Sequence, residues 1–175
     1  MIDAIKKVFD SWDHPRAEEY RRLNRIPADM GTAAIIQSMV FGDLGQKSGT
    51  GVMFTRNPST GDKELFGEYM TGAKGEDLVS GRRTPQPISA LKSQMPDMYA
   101  QLEEVASILE NHFRDMQDVE FTVESGKLYI LQTRSGKRGG QASVKIAVDM
   151  AKEGFISREE AILRVSAEDV RSFLH

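Results

Sequence analysis

Acids, an amide and a guanidinium are concentrated in one short stretch, DVEFTVESGKLYILQTR, running from Asp118 to Arg134. Asp118 and Glu120 sit two apart in a run where Val119, Phe121 and Val123 alternate with polar residues, the period of a half-buried strand. Gln132 and Arg134 are also two apart, in a second run of β-formers from Leu128 to Thr133. Carboxylates at i and i+2 lie roughly 7 Å apart and repel by about 0.6 kcal/mol in bulk water, or about 2.4 kcal/mol at an effective dielectric of ~20. On a solvated face that costs almost nothing, and exposed acids need no further explanation. In a cleft the repulsion needs a cation, either Arg134 or a metal. Mg²⁺ takes one or two carboxylate-type oxygens and leaves its other positions to water and substrate phosphates. Metal–phosphate binding is therefore the chemistry this set could perform.

Whether the four groups meet depends on the turn, Glu124-Ser125-Gly126. A two-residue loop at Ser125-Gly126 pairs Glu120 with Leu131 and turns the acids onto an apolar face. A three-residue loop ending in Gly126, a type I turn with a bulge, shifts the parity. Asp118, Glu120, Gln132 and Arg134 then share one face, and Val119, Phe121 and Val123 share the other with Tyr129 and Leu131. Because register follows the hydrophobic pattern, the three-residue loop is the expectation.

The elements that must carry this hairpin can be read along the chain. Ile2 to Trp12 has an amphipathic helical stripe of Ile5, Val8 and Phe9, and Pro15 opens a second helix through Asn24. Ala33 to Phe41 is apolar without a period and predicts a buried strand. Strands are expected at Gly51 to Thr55 and Glu64 to Met70, separated by the turn signal Arg56-Asn57-Pro58-Ser59-Thr60-Gly61. A short helix spans Glu76 to Val79, and Arg82 to Pro87 is extended loop. Met98, Leu102, Val105, Leu109 and Phe113 form the core stripe of a long helix starting near Pro96. After the hairpin, Ser135 to Gly140 reads as a flexible basic linker to helices at Gln141–Lys152, Ser157–Val165 and Ala167–Leu174. Ser157 with Glu160 makes a capping box, and Gly154 fits a helix C-terminus.

The whole is an α+β chain in three parts: a helical lead-in with a strand (1–40), a mainly antiparallel sheet under one long helix (41–137) and a helical tail (138–175). Its 175 residues suffice to bury ~70% of the unfolded surface. There are no cysteines, so disulfide and thiolate chemistry are excluded and a reducing compartment fits. A net charge of −3 gives no general nucleic-acid-binding surface. No apolar run has the length of a membrane span and the first twenty residues are too charged for a signal peptide, so a cytoplasmic protein is expected.

Other motifs are weaker. Ser48-Gly49-Thr50-Gly51 lacks the Lys-Ser/Thr of a P-loop and precedes a strand, so it reads first as a glycine-rich hairpin entry. Glu76 and Asp77 lie at the favourable end of a helix dipole, with a ribose or metal contact by Glu76 as the sharper alternative. His14, His112 and His175 have no partner at ligand or triad spacing, so none is assigned a catalytic role.

The runs SWDHPRAEEYRRLNRIPADMGTA, QSMVFG, SGTGVMFTRNPSTG, GEYMTGAKGEDLVSGRRTPQPI and HFRDMQDVEFT with LYILQTR closely resemble the pyruvate, phosphate dikinase family. The resemblance covers essentially the whole chain. Phosphoenolpyruvate synthase shares the outline but differs at the segments matching TRNPSTG and GEDLVSGRRTP. The resemblance implies the second half of an ATP-grasp nucleotide-binding domain plus the helices leading toward a phosphohistidine domain. The first half of the ATP site, the histidine domain and the barrel that makes phosphoenolpyruvate lie outside the chain. Gly139-Gly140-Gln141-Ala142-Ser143 is similar to the Gly-Gly-x-x-Ser that precedes a phospho-acceptor histidine, but Val144 stands in that place.

By motif position, the resemblance makes Glu120 and Gln132 ligands of Mg²⁺ and of the nucleotide phosphates. Asp118 would order the site, and Arg134 would meet the transferring phosphoryl group or inorganic phosphate. Glu76 matches an acid in the nucleotide cleft. Gln37 to Val40, with Gln37, Met39 and Val40 as nucleotide contacts, matches the hinge that holds adenine. The implied partners are ATP, phosphate and the missing domains, and homodimer formation through the exposed half-cleft stays open. A stand-alone binding module that reuses this subdomain is the alternative of a different class.

Overall fold

The computed structural model describes residues 1–81 and 83–174, and side chains except those of Val79, Phe173 and Leu174. The expectations for Arg82 and His175 lie outside these residues. The chain divides into two units, Met1–Met39 and Val40–His175.

The first unit holds α1 (Ile2–Asp10), a 3₁₀ turn at Ser11–Asp13 and α2 (Pro15–Asn24). Pro15 takes the first helical position, where its missing N–H costs nothing, and the His14 ring accepts the Arg16 N–H at 3.3 Å. Arg21 lies 4.0 Å over the Trp12 ring while donating to the Trp12 carbonyl at 2.6 Å. No residue of α1 is buried, despite its apolar stripe. The strand expected at Ala33–Phe41 does not form: the segment has no regular structure, and Ile35 and Met39 are 87% and 76% exposed. An unperiodic apolar run becomes a strand only where another strand completes its ladder, and none among the described residues does so.

The second unit is built on a five-stranded antiparallel sheet ordered β3-β2-β1-β4-β5. Its strands are β1 (Gly49–Phe54), β2 (Phe66–Thr71), β3 (Gln86–Pro87), β4 (Gln117–Glu124) and β5 (Lys127–Ser135). Short helices α3 (Gly75–Ser80) and α4 (Leu91–Gln94) precede the long α5 (Pro96–Phe113). Helix α5 closes a core in which Met53, Tyr69, Leu102, Val119 and Phe121 are fully or almost fully buried. Within α5 the buried residues are Met98, Tyr99, Leu102, Ala106 and Glu110, whereas Phe113 is 47% exposed. Val105 and Leu109 of the expected stripe are partly buried and pack against this core, and only Phe113 at its end turns outward. Glu110 goes inward because a buried arginine needs it.

Two glycines make room for this core. Tyr69 and Phe121 stack with centroids 6.1 Å apart, and a Cβ on Gly51 would enter the Phe121 ring. A Cβ on Gly67 would lie well under 3.0 Å from the Val52 carbonyl oxygen and the Met53 Cα, backbone atoms that cannot swing aside. We expect Gly67→Ala to cost about 3 kcal/mol, the upper part of the overpacking range, seen as a lower urea midpoint at constant slope.

The tail forms a second core. Helices α6 (Gly140–Lys152) and α7 (Arg158–Arg164) enclose Met116, Ile146, Met150 and Ile156, Phe54 of β1 joins them, and α8 (Ala167–Leu174) lies against α6. The segment expected to be a flexible linker is fixed. Arg138 forks onto Asp115 with two 2.8 Å bonds, Gly136 N–H donates to the Met116 carbonyl at 2.9 Å and Gly139 N–H to that of Pro58 at 3.0 Å. Gly154 ends α6 at φ +80°, with Phe155 N–H returning to the Met150 carbonyl at 2.9 Å. Only half of the expected capping box forms: Ser157 accepts the Glu160 N–H at 3.1 Å, while the Glu160 carboxylate pairs with Arg164. Among the described residues no helix is long and apolar enough to cross a membrane.

Candidate functional site

The hairpin turn is the two-residue loop that the hydrophobic pattern argued against. Glu124 pairs with Lys127, and Ser125 and Gly126 both have positive φ, 52° and 86°, as a type I′ turn requires. Register in the turn-proximal half follows: Val123 faces Leu128, Thr122 faces Tyr129 and Phe121 faces Ile130. On β5 it is therefore Leu128, not Tyr129 or Leu131, that packs against the core, while Ile130, paired with Phe121, stays 38% exposed at the sheet edge. Between Phe121 and Glu120 the register then shifts, leaving Leu131 as an unpaired bulge residue, 46% exposed. Beyond it Glu120 faces Gln132 and Asp118 faces Arg134.

The parity shift expected from the turn is thus supplied by the bulge. A turn changes register along the whole strand, whereas a bulge changes it only beyond itself. One strand can therefore pair Ile130 with the core residue Phe121 and Gln132 with Glu120, although the two residues are separated by a single position.

Cross-strand pairing places Asp118, Glu120, Gln132 and Arg134 on the sheet face opposite Val119 and Phe121. The Arg134 Nε donates to Asp118 Oδ2 at 2.8 Å. This hydrogen bond raises the Arg134 guanidinium above its already high range, with the Asp118 charge adding to it. The arginine is 63% exposed, so the pair contributes little to stability; it fixes direction instead. Among the described residues neither Glu120 nor Gln132 has a side-chain hydrogen-bond partner. The β1 and β2 registers extend the face: Val52 faces Glu120 on one side and Glu68 on the other. Glu68 was missed because nothing in its own segment says which face it takes.

Oxygen donors of this kind suit a hard divalent cation. Among the described residues no group of three His, Cys, Asp or Glu side chains converges as a metal cage. Glu120 and Gln132 offer one carboxylate and one amide oxygen, a sparse set of the kind with which Mg²⁺ relies on phosphate oxygens and water for the remainder.

Other residues of interest lie apart. Glu76 is exposed in the first turn of α3, and its neighbour Asp77 does the capping by accepting the Lys74 N–H at 2.9 Å. Gln37 and Met39 are exposed in the first unit, and half-buried Val40 opens the second. The adjoining Phe41 N–H donates to the Glu124 carboxylate at 2.7 Å, beside the hairpin turn. Ser48-Gly49-Thr50-Gly51 is the entry to β1, with the Ser48 hydroxyl accepting the Ser125 N–H at 2.9 Å.

A polar network beneath the sheet has no counterpart in the sequence reading, which took Arg56 for a turn residue. Arg56 is fully buried, donating to Glu110 at 3.0 and 2.8 Å and to Glu153 at 2.9 Å through two nitrogens. Thr55 adds a 2.7 Å bond to Glu110, and Lys63 a 2.6 Å bond to Glu153. The available signal was Glu110 itself, an acid spaced with Leu102 and Ala106 on the apolar side of α5. Burial pushes the Glu153 carboxyl up, but hydrogen bonds from Arg56 and Lys63 outweigh it and hold the group below its usual value of 4.5. A depressed folded value stabilises the protein above the unfolded value, and that contribution is lost as pH falls through the folded one. Glu153→Gln should therefore flatten the loss of stability below about pH 4.5, measured as urea midpoints in acid.

Comparison with known proteins adds the following. A family model described as pyruvate phosphate dikinase, AMP/ATP-binding domain matches residues 1–100 and 95–155. The chain is 57% identical over all of its 175 residues to pyruvate, phosphate dikinase of Clostridium symbiosum, covering 20% of that protein. It is 53% identical over 98% of its length to the enzyme of Rhizobium meliloti, again covering 20%, and 53% identical to pyruvate, phosphate dikinase 1, chloroplastic, of Arabidopsis thaliana, covering 18%. The chain thus spans about a fifth of the length of these relatives.

Proposed function

Because the chain belongs to the family of the pyruvate phosphate dikinase AMP/ATP-binding domain, we propose that its acid-bearing sheet face is one wall of a Mg²⁺–ATP cleft. The observation that carries this reading is the direct pairing of Glu120 with Gln132 and of Asp118 with Arg134 on one face. Glu120 and Gln132 hold the cation and the phosphate oxygens that share it. Bound Mg²⁺ would offset charge on the polyphosphate during phosphoryl transfer. Asp118 engages Arg134 through Nε and leaves the two terminal nitrogens directed to the transferring phosphoryl group or to inorganic phosphate. Glu76 contributes to the nucleotide cleft, and Gln37, Met39 and Val40 line the adenine hinge.

The reaction served is that of pyruvate, phosphate dikinase: ATP, phosphate and pyruvate give AMP, pyrophosphate and phosphoenolpyruvate through a phosphohistidine. The histidine and the other wall of the cleft belong to the four-fifths of the relatives' length that this chain does not span. The exposed Ile35, Ile36 and Met39 suit burial against that other wall.

The test is calorimetry of Mg²⁺–ATP with the chain alone and with the preceding half of a relative's nucleotide-binding domain supplied in trans. The chain alone should bind weakly or not at all, since one wall leaves most phosphate oxygens in water. The pair should bind only with Mg²⁺. Tight binding by the isolated chain, or Mg²⁺-independent binding by the pair, would contradict the assignment.

A further inference from the structure

Strand β5 lies at the edge of the sheet, so among the described residues β4 is the one strand that pairs with it. Its site-bearing end is less supported still, because the bulge at Leu131 interrupts the ladder immediately before Gln132. Gln132, Arg134 and Ser135 are all exposed, and Thr133 alone in this segment turns partly inward. The Thr133 hydroxyl donates to the Gln117 side-chain oxygen at 3.0 Å. Gln117 is 1% exposed and firmly oriented: its amide nitrogen donates to the carbonyls of Asp115 at 3.1 Å and Met116 at 3.3 Å. Those two donations leave only its oxygen to face Thr133. The Gln117 N–H in turn donates to the Thr55 hydroxyl at 3.0 Å, and that hydroxyl donates to Glu110 within the Arg56 network.

We propose that Thr133 and Gln117 are positioning residues, a buried clamp that fixes the edge segment presenting Gln132 and Arg134. Their significance for nucleotide binding rests on the cleft reading above; the clamp itself does not. Thr133 lies between Gln132 and Arg134 in sequence and on the opposite face. Holding it therefore sets the direction of both neighbours without touching a phosphate. The clamp is anchored to buried Thr55, Glu110 and Arg56, which supply the rigidity that an edge strand past a bulge lacks.

The test is amide hydrogen exchange by NMR on the 175-residue chain, with the turn-proximal half of the hairpin as internal reference. In Thr133→Val, which keeps the shape and removes the donor, amides of residues 132–135 bonded to β4 should exchange about tenfold faster. Those of residues 127–130 should change less than about twofold, and Thr133→Ser should restore protection. Equal acceleration along the whole hairpin would reduce the contact to general stability, and unchanged exchange at 132–135 would remove it; either overturns the proposal. In the reconstituted pair, Thr133→Val should weaken Mg²⁺–ATP about tenfold, with Thr133→Ser close to the parent. If the parent pair binds no nucleotide, the cleft assignment fails while the exchange contrast still decides the clamp.

Discussion

Glu110→Ala is expected to cost about 3–5 kcal/mol, a large part of the 5–15 kcal/mol that typically holds a domain folded. Arg56 is fully buried and its guanidinium is always charged, so it cannot escape by losing a proton. Glu110 supplies two of its close contacts and is itself 3% exposed. With Glu110 gone, Glu153 remains, but its side chain is 27% exposed and shared with Lys63. The Thr55 hydroxyl loses its acceptor as well. Urea unfolding followed by circular dichroism should show a much lower midpoint at similar slope. Pairing Arg56→Met with Glu110→Leu should recover much of the loss, since two apolar groups leave no buried charge unmatched. If Glu110→Ala alone were as stable as the parent, water would have to reach Arg56, contrary to its complete burial.

In the reconstituted pair, Glu120→Ala should weaken Mg²⁺–ATP binding by about a hundredfold, or roughly 2.7 kcal/mol, and Gln132→Ala by about tenfold. The order follows from charge. In the proposed site Glu120 would bring a full negative charge to the cation, whereas Gln132 would bring only an amide dipole. Both groups lack side-chain hydrogen-bond partners among the described residues, so little folded-state stability should be lost with them. Calorimetry gives the affinities, and urea midpoints within about 0.5 kcal/mol of the parent would confirm that binding alone was changed. Affinity unchanged in both variants would take the two residues out of the site. The Glu120→Ala loss should also narrow as Mg²⁺ is raised, because a weakened cation site needs more cation to fill, which separates metal binding from simple proximity.

The sequence by itself determined a great deal. Alternation at Asp118–Val123, the prolines at 15 and 96, the turn at Arg56–Gly61 and the glycine at 154 each act through local sterics and periodicity, which operate without distant partners. They locate most helices and strands of the second unit, and the sequence runs alone identify the family. Positions that depend on distant partners could not be read this way. Leu131 bulges because the pairs on the two sides of it require different parities of one strand, and Ala33–Phe41 has no neighbouring strand among the described residues. Arg56 and Glu110 are buried because residues 54 positions apart neutralise each other. Only the tertiary structure decides such matters, because hydrogen-bond ladders and charge neutralisation require partners that sequence spacing does not bring together.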